Sequence, residues 1–404
     1  MAFSQGISGL SAAAANLDVI GNNIANSGTI GFKSAAATFK DVYAGSRVGL
    51  GVAVSGVSQN FAQGATQTSS RPLDVAILNG DGFFRLSSAS GEVFYSRNGQ
   101  FDRDKEGYLV NGSGLRLTGF GVSANGTING GAPGPLQIQT SSMNPNATTA
   151  VKAEFNLDSR SVTPTSTPFD AADSATYNYS NALGPVYDSL GNPHELGAFF
   201  VKTGANTWDV YGTSDGTALN AGAPMTTLTF DANGNMTAPA SGGFNIAGLT
   251  FPNGSAAMNM SVDLSGTTQF GNKNAVNRLN QDGFTSGTLT SFSINDDGTI
   301  TGKYSNEQTK LLGQVVLSSF ANPNGLEPKG DNVWAETLAS GQPLTGTPGA
   351  GTKQGSLASG KLESSNVDLT SELVNLIVAQ RSYQANAQTV KTQDQVMQTL
   401  MNIR

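Results

Sequence analysis

The chain has 404 residues, no cysteine, one histidine and a net charge of −7. Disulfides and zinc sites built from Cys and His are therefore excluded, and an acidic balance without a Lys/Arg run argues against nucleic acid as a partner. Charged residues make up 13% of the chain and glycines number 50, against typical shares of ~25% and ~7%, so the composition is that of a folded, turn-rich, lightly charged protein.

Residues 1–32 carry a single charge, Asp18, and lack the basic start of a secretory signal. No run reaches the ~20 apolar residues of a membrane helix. The chain is expected to stay inside the cell or to leave by a route that ignores signal peptides. Phe3, Ile7, Leu10, Ala14, Leu17, Gly21 and Ile24 are separated by alternating steps of four and three, a heptad seam. The predicted helix stops near Asn26-Ser27-Gly28 and reaches roughly 33 Å.

The middle of the chain shows the strand-and-turn pattern of all-β domains. Short β-branched and aromatic runs recur, including Leu73–Ile77, Gly82–Leu86, Val93–Tyr95, Phe199–Val201, Trp208–Tyr211 and Leu311–Leu317. Turn signals separate them at Asp188–Asn192, Asp231–Gly234 and Asp296–Gly298. Polar segments near 141–150, 158–168 and 271–288 are candidate boundaries between two β domains. Residues 340–360, rich in Gly, Ser, Thr and Pro, read as a connector.

A second seam follows. Asp368 is a candidate N-cap, and Leu369, Leu373, Leu376, Gln380, Tyr383, Ala387, Val390, Asp394, Met397 and Met401 repeat the four-three spacing. About 36 residues give a helix of roughly 54 Å. The polar Gln380 and Asp394 cost stability but fix register.

Catalytic and ligand motifs fail on inspection. Gly212–Gly216 matches a nucleophile-elbow string, but that triad needs a His after its Ser, and the sole His, His194, lies upstream. Asp102–Gly107 starts like a calcium loop, but the position of the bidentate Glu holds Ser113. Both read better as turns, and His194 reads as a solvated or hydrogen-bonded residue. No metal, cofactor or catalytic residue is expected.

Long amphipathic helices draw their stability from packing. One outcome is an antiparallel hairpin joining the two ends of one subunit. The other adds contacts with neighbouring subunits, which the nearly uncharged surface of the first helix favours, since a solvated back face carries Lys and Glu.

Asn22-Asn23-Ile24-Ala25-Asn26-Ser27-Gly28-Thr29-Ile30-Gly31-Phe32-Lys33 resembles the N-terminal signature of bacterial flagellar rod and hook proteins. Within it, Asn22, Asn23, Asn26, Thr29, Gly31 and Phe32 stand as signature residues. Ser365–Thr370 and Ala379–Ala387 resemble the C-terminal signature, and Leu73–Ile77, Gly82–Phe84, Tyr95–Phe101 and Leu109-Val110 resemble the shared β core. A large central insertion, including Val186–His194 and Phe200–Gly204, points to the hook branch rather than the shorter distal rod subunits, which remain the alternative. The resemblance implies a homopolymer whose terminal helices line an inner tube and whose β domains lie further out. It also implies a universal joint between the distal rod and the filament, with hook–filament junction proteins, a hook cap and the flagellar type III export apparatus as partners.

The expected architecture is mixed and mainly β, with a coiled-coil-like pair of terminal helices and two nested all-β domains. Residues 1–24 and 364–404 form the helical domain. Residues 25–71 and about 355–363 connect it to a β core of 72–144 and 285–354, into which 145–284 is inserted. Subunit packing is assigned to Phe3, Ile7, Leu10, Leu17 and Ile24, and to Leu369, Leu373, Leu376, Gln380, Tyr383, Ala387, Val390, Met397 and Met401. A secreted β-rich adhesin would share the composition but not the two seams, and an enzyme fits least.

Overall fold

The computed structural model describes residues 2–43, 49–123, 125–139 and 142–402, which fall into two compact units. The first contains both chain ends (1–140, 290–303 and 309–404), and the second is 141–289 with 304–308.

The first unit opens with helix α1 (Ala2–Ala25) and closes with helix α2 (Leu369–Asn402). Asp368 caps α2 as the sequence predicts, its carboxylate accepting from the amides of Thr370 (2.9 Å) and Ser371 (3.2 Å). After α1 comes a hairpin of β1 (Ala35–Val42) and β2 (Gly51–Gln59). Periodicity gave no hint of it, because neither strand has a buried face to impose alternation. Three further strands lead into the core: β3 (Thr66–Thr68), β4 (Val75–Leu78) and β5 (Phe83–Ser87). β5 and β6 (Val93–Ser96) sit centrally in a large sheet, flanked by 116–120 on one side and 333–335 on the other. Its core holds Phe83, Tyr95, Phe320 and Trp334, packed edge to face, with Tyr95 and Phe320 centroids 4.7 Å apart.

Three sequence readings change here. Residues 340–360 are no free connector: 344–346 pairs with 317–319, 356–359 pairs with β4, and Ser340 is fully buried. The Gly-rich composition serves close approach, since a Cβ on Gly355 would lie 2.4 Å from the Leu78 carbonyl. The apolar run 311–317 is two strands (309–315 and 317–319), which change partners at Val316. Residues 271–288 are not simply a boundary, because 275–281 is a strand paired with 150–156. It looks polar because nearly all of it is exposed.

The second unit has a six-stranded sheet (179–187, 193–204, 207–214, 217–218, 226–230 and 236–238) and a four-stranded sheet (150–156, 243–249, 258–263 and 275–281). Strand 193–204 alternates as a half-buried strand should, with Leu196, Ala198 and Phe200 inward. Trp208, Phe155, Phe200 and Val210 fill the core, and the Trp208 indole N–H donates to Gln269 at 2.9 Å. Turn aspartates terminate the strands. Asp188 Oδ1 accepts from the amides of Leu190 and Asn192, both at 2.9 Å, and Asp231 Oδ1 accepts from Asn233 and Asn235, both at 2.8 Å. Each carboxylate takes up amides that the tight turn leaves unpaired.

Candidate functional site

The chain ends come together as an antiparallel helix pair. Gly6 and Gly9 near the start of α1 face Val390 and Asn386 late in α2, whereas Asn23 near its end bonds Glu372 in the first turn of α2. The contact is close because α1 offers almost no side chain there. A Cβ on Gly6 would lie 2.8 Å from Val390 Cγ2, and one on Gly9 would lie 2.7 Å from Asn386 Oδ1.

The buried line of α1 runs through Gly6, Ala13, Ile20 and Asn23. It has heptad spacing but stands one residue before the seam read from the sequence. Small residues lead it, so an apolar-residue count passes it by. Of the sequence seam, Phe3 (46%) and Ile7 (45%) stand exposed, Gly21 is exposed, and Leu10, Ala14, Leu17 and Ile24 are half-buried. On α2, Leu376, Ala387 and Val390 are half-buried, and Leu369, Leu373, Gln380, Tyr383, Asp394, Met397 and Met401 are exposed. The residue closed off most completely is Ala379. Val374, Ile377 and Val378 add to an exposed apolar surface on the same helix.

The signature after α1 builds a junction. Asn23 is buried, and its amide pairs with both backbone groups of Ala35, donating to the carbonyl (2.8 Å) and accepting from the N–H (2.9 Å). Asn26 donates to the Asn22 carbonyl, and Thr29 donates to Asn26 at 3.1 Å. Gly31 has φ +69° and donates its N–H to the Glu363 carbonyl at 2.8 Å. A Cβ there would meet the Asn98 amide at 2.6 Å, so both conformation and space demand glycine. Phe32 is half-buried.

Behind this junction lies a buried ionic cluster. Lys33 Nζ contacts Glu363 Oε1 at 2.6 Å and donates to the Ala62 carbonyl at 2.7 Å. Arg97 Nη1 approaches Glu363 Oε2 at 3.4 Å, and the Gly64 amide donates to Oε1 at 2.8 Å. Burial pushes both the Lys33 and Arg97 pKa values down, and the Glu363 carboxylate opposes the fall. Asn366 ties in the last stretch before α2, accepting from Ser34 N–H (2.7 Å) and donating to the Asn60 carbonyl (2.7 Å). Four chain segments, near 31–34, 60–64, 97 and 363–366, thus meet on one carboxylate and one amide. The site assignment missed Lys33, Arg97, Glu363 and Asn366, although Lys33 and Asn366 lie in the quoted signatures. The signal was a lone Lys ending 32 residues without a basic side chain.

The rejected motifs are turns and contacts. Gly212–Gly216 closes a hairpin, with Asp215 and Gly216 at φ +46° and +78°. Asp104 accepts from the Tyr108 amide at 2.7 Å in the hairpin that resembled a calcium loop. His194 begins a strand, stacks on Phe251, and has Asp215 Oδ2 2.7 Å from Nδ1. No group of three or more metal-ligating side chains forms among the described residues.

A helix pair made from both chain ends, joined to a β core, is the architecture of this chain, and it has counterparts among flagellar axial proteins. Residues 4–33 match the flagella basal body rod protein family, and 358–403 match the C-terminal region of the flagellar basal body rod FlgEFG proteins. Residues 77–154 match the flagellar hook protein FlgE/F/G D1 domain, and 156–284 match the flagellar basal body protein FlaE D2 domain. Over its full length the chain is 50% identical to the flagellar hook protein FlgE of Salmonella typhimurium and 51% identical to that of Escherichia coli K12, covering 100% of each. The Borreliella burgdorferi protein is 33% identical over 99% of this chain and 98% of its own. The fold is similar to a crystal structure of Helicobacter pylori flagellar hook protein FlgE2, at a TM-score of 0.51 and 17% identity, covering 74% of this chain and 99% of that one. The chain belongs to the flagellar hook protein FlgE family. It is a structural subunit of the flagellar hook and assembles with copies of itself in the flagellar axial structure.

Proposed function

We propose that the subunit polymerises through its terminal helices into a flexible helical tube that works as a universal joint, carrying motor torque from the distal rod to the filament. The observation that carries this reading is the unequal distribution of exposed apolar side chains. Phe3, Ile7, Leu369, Leu373, Tyr383, Met397 and Met401 stand exposed on α1 and α2, and packing against neighbours would remove them from water at ~25 cal/mol per Å². Gln380 supplies the polar register element, and Leu10, Leu17, Ile24, Leu376, Ala387 and Val390 support the pair from within.

In this reading 1–24 and 364–404 form the inner tube. Residues 25–71 and about 355–363 link it to a β core of 72–144 and 285–354, and 145–284 lies outermost. A bent rotating tube lengthens and shortens each row of subunits once per turn. The inner helices keep contact, and lightly charged outer surfaces slide over exchangeable bridging waters. The subunit leaves through the type III export apparatus without a cleaved signal, assembles beneath a hook cap outside the cell, and is followed by hook–filament junction proteins.

Electron microscopy of the purified polymer tests the reading. A curved, bendable tube is expected, and a straight rigid one would mean a rod component instead. Deleting 145–284 should leave polymerisation intact and change curvature, and loss of polymerisation would refute the division of labour. Leu376→Asp and Ile24→Asp should each block assembly by placing a charge in a packed seam.

A further inference from the structure

The groove between the two helices and β1 holds a carboxylate oxygen with no partner among the described residues. It is a cavity of about 380 Å³, lined among others by Ile20, Ala36, Glu372, Val378 and Ala379. Glu372 Oε1 accepts from Asn23 at 3.2 Å, while Oε2 is buried without a hydrogen-bond partner among the described residues. A buried carboxylate oxygen left without a donor is costly until one arrives.

The described basic side chains of α1 and α2 are Arg381 and Lys391, both exposed, and the ion pairs of the described residues include neither. Lys391 has Asp394 one turn further on, a compensating neighbour. Arg381 has Ile377, Val378, Gln384 and Ala385 at those spacings, and no carboxylate. It stands nine residues after Glu372, which at ~3.6 residues per turn puts it on the opposite face of α2. Around it Val374 (55%) and Ile377 (50%) are exposed. One side of α2 therefore borders a groove with an unmet acceptor, and the other presents an unmet cation on an apolar patch.

We propose that this groove receives the back face of α2 from a second copy of the chain, whose Arg381 donates to Glu372 Oε2 while Val374 and Ile377 cover the groove. The inference rests on the subunit's self-assembly. The two patches differ and lie on opposite sides of one helix, so the contact is heterologous. Such contacts propagate into a ring or an open-ended row instead of closing a pair.

The test is the critical concentration for polymerisation of the full-length protein, read by sedimentation and electron microscopy, with circular dichroism of the monomer as the folding control. Arg381→Glu alters an exposed side chain, so the monomer should fold unchanged while the critical concentration rises about tenfold or more. Glu372→Gln keeps an acceptor for Asn23 and should give a rise of about threefold. Glu372→Arg combined with Arg381→Glu loses the Asn23 acceptor but restores the charge pair, so it should assemble at a lower critical concentration than Arg381→Glu alone. The proposal is overturned if Arg381→Glu assembles at the parent concentration, or if the double variant does no better than the poorer single variant. A parent chain that never polymerises would refute the self-assembly itself, a result distinct from either.

Discussion

The helix pair and the 141–289 unit solve the burial problem in opposite ways. The unit packs Trp208, Phe155, Phe200 and the apolar faces of two sheets into a core of its own, and ends its strands with aspartates that satisfy their own turns. The helices bury mostly Gly, Ala and Asn against each other and leave Leu, Ile, Val and Met outside. The first is complete as a single chain. The second has its larger apolar surface still to bury, so its stability depends on what it meets. Under the proposed function, self-sufficiency and assembly belong to different stretches of one sequence.

Four measurements would break or sharpen that contrast. The largest effect is expected from Trp208→Ala, which should cost the 141–289 unit about 3–5 kcal/mol. Segment-resolved hydrogen exchange should show the loss confined to that unit, and equal loss of protection in α1 would deny its independence. Glu363→Gln comes next. It leaves Lys33 and Arg97 buried without their carboxylate and should cost about 3 kcal/mol, read as faster exchange at Gly31 and Gly64, whose amides meet Glu363.

Acid should separate the regions further. Six aspartates in 141–289 have carboxyl pKa values below the usual range: Asp158 (to about 2), Asp188, Asp215, Asp231, Asp263 and Asp282. Burial opposes the shift at Asp188, Asp215, Asp263 and Asp282, and hydrogen bonds outweigh it. The Asn235 amide leads at Asp231 and the Arg160 side chain leads at Asp158. A depressed folded-state pKa contributes stability that is present above the unfolded value of ~3.9 and lost as pH falls through the folded one. Thermal melts of the unit should therefore hold steady down to about pH 4 and decline below it. The smallest effect belongs to the cap: Asp368→Ala should fray the first turn of α2, seen as faster exchange at Thr370 and Ser371.

Much of this was legible. Both helices, the Asp368 cap and the turns at Asp188, Asp231 and Asp296–Gly298 follow from spacing and turn chemistry. The hairpin of β1 and β2 was not, since its exposed strands leave no alternating pattern. The side of α1 buried within the subunit stands one position before the apolar seam and was not legible, because close contact there selects for the absence of a side chain at Gly6 and Gly9. The Lys33–Glu363–Arg97 cluster was invisible for another reason: its members lie up to 330 residues apart in sequence, and only the fold brings them together.

That separation sets an order of events. Lys33 cannot meet Glu363, nor Asn23 meet Glu372, until nearly all of the chain is present, whereas every residue of the Trp208 core lies between Val151 and Leu264. Long loops close late and slowly. Each end of the polypeptide must wait for the other. The middle can close its core before the ends meet, and the junction that fixes the helix pair is completed last, so the helix pair reports on the whole chain in a way the Trp208 core does not.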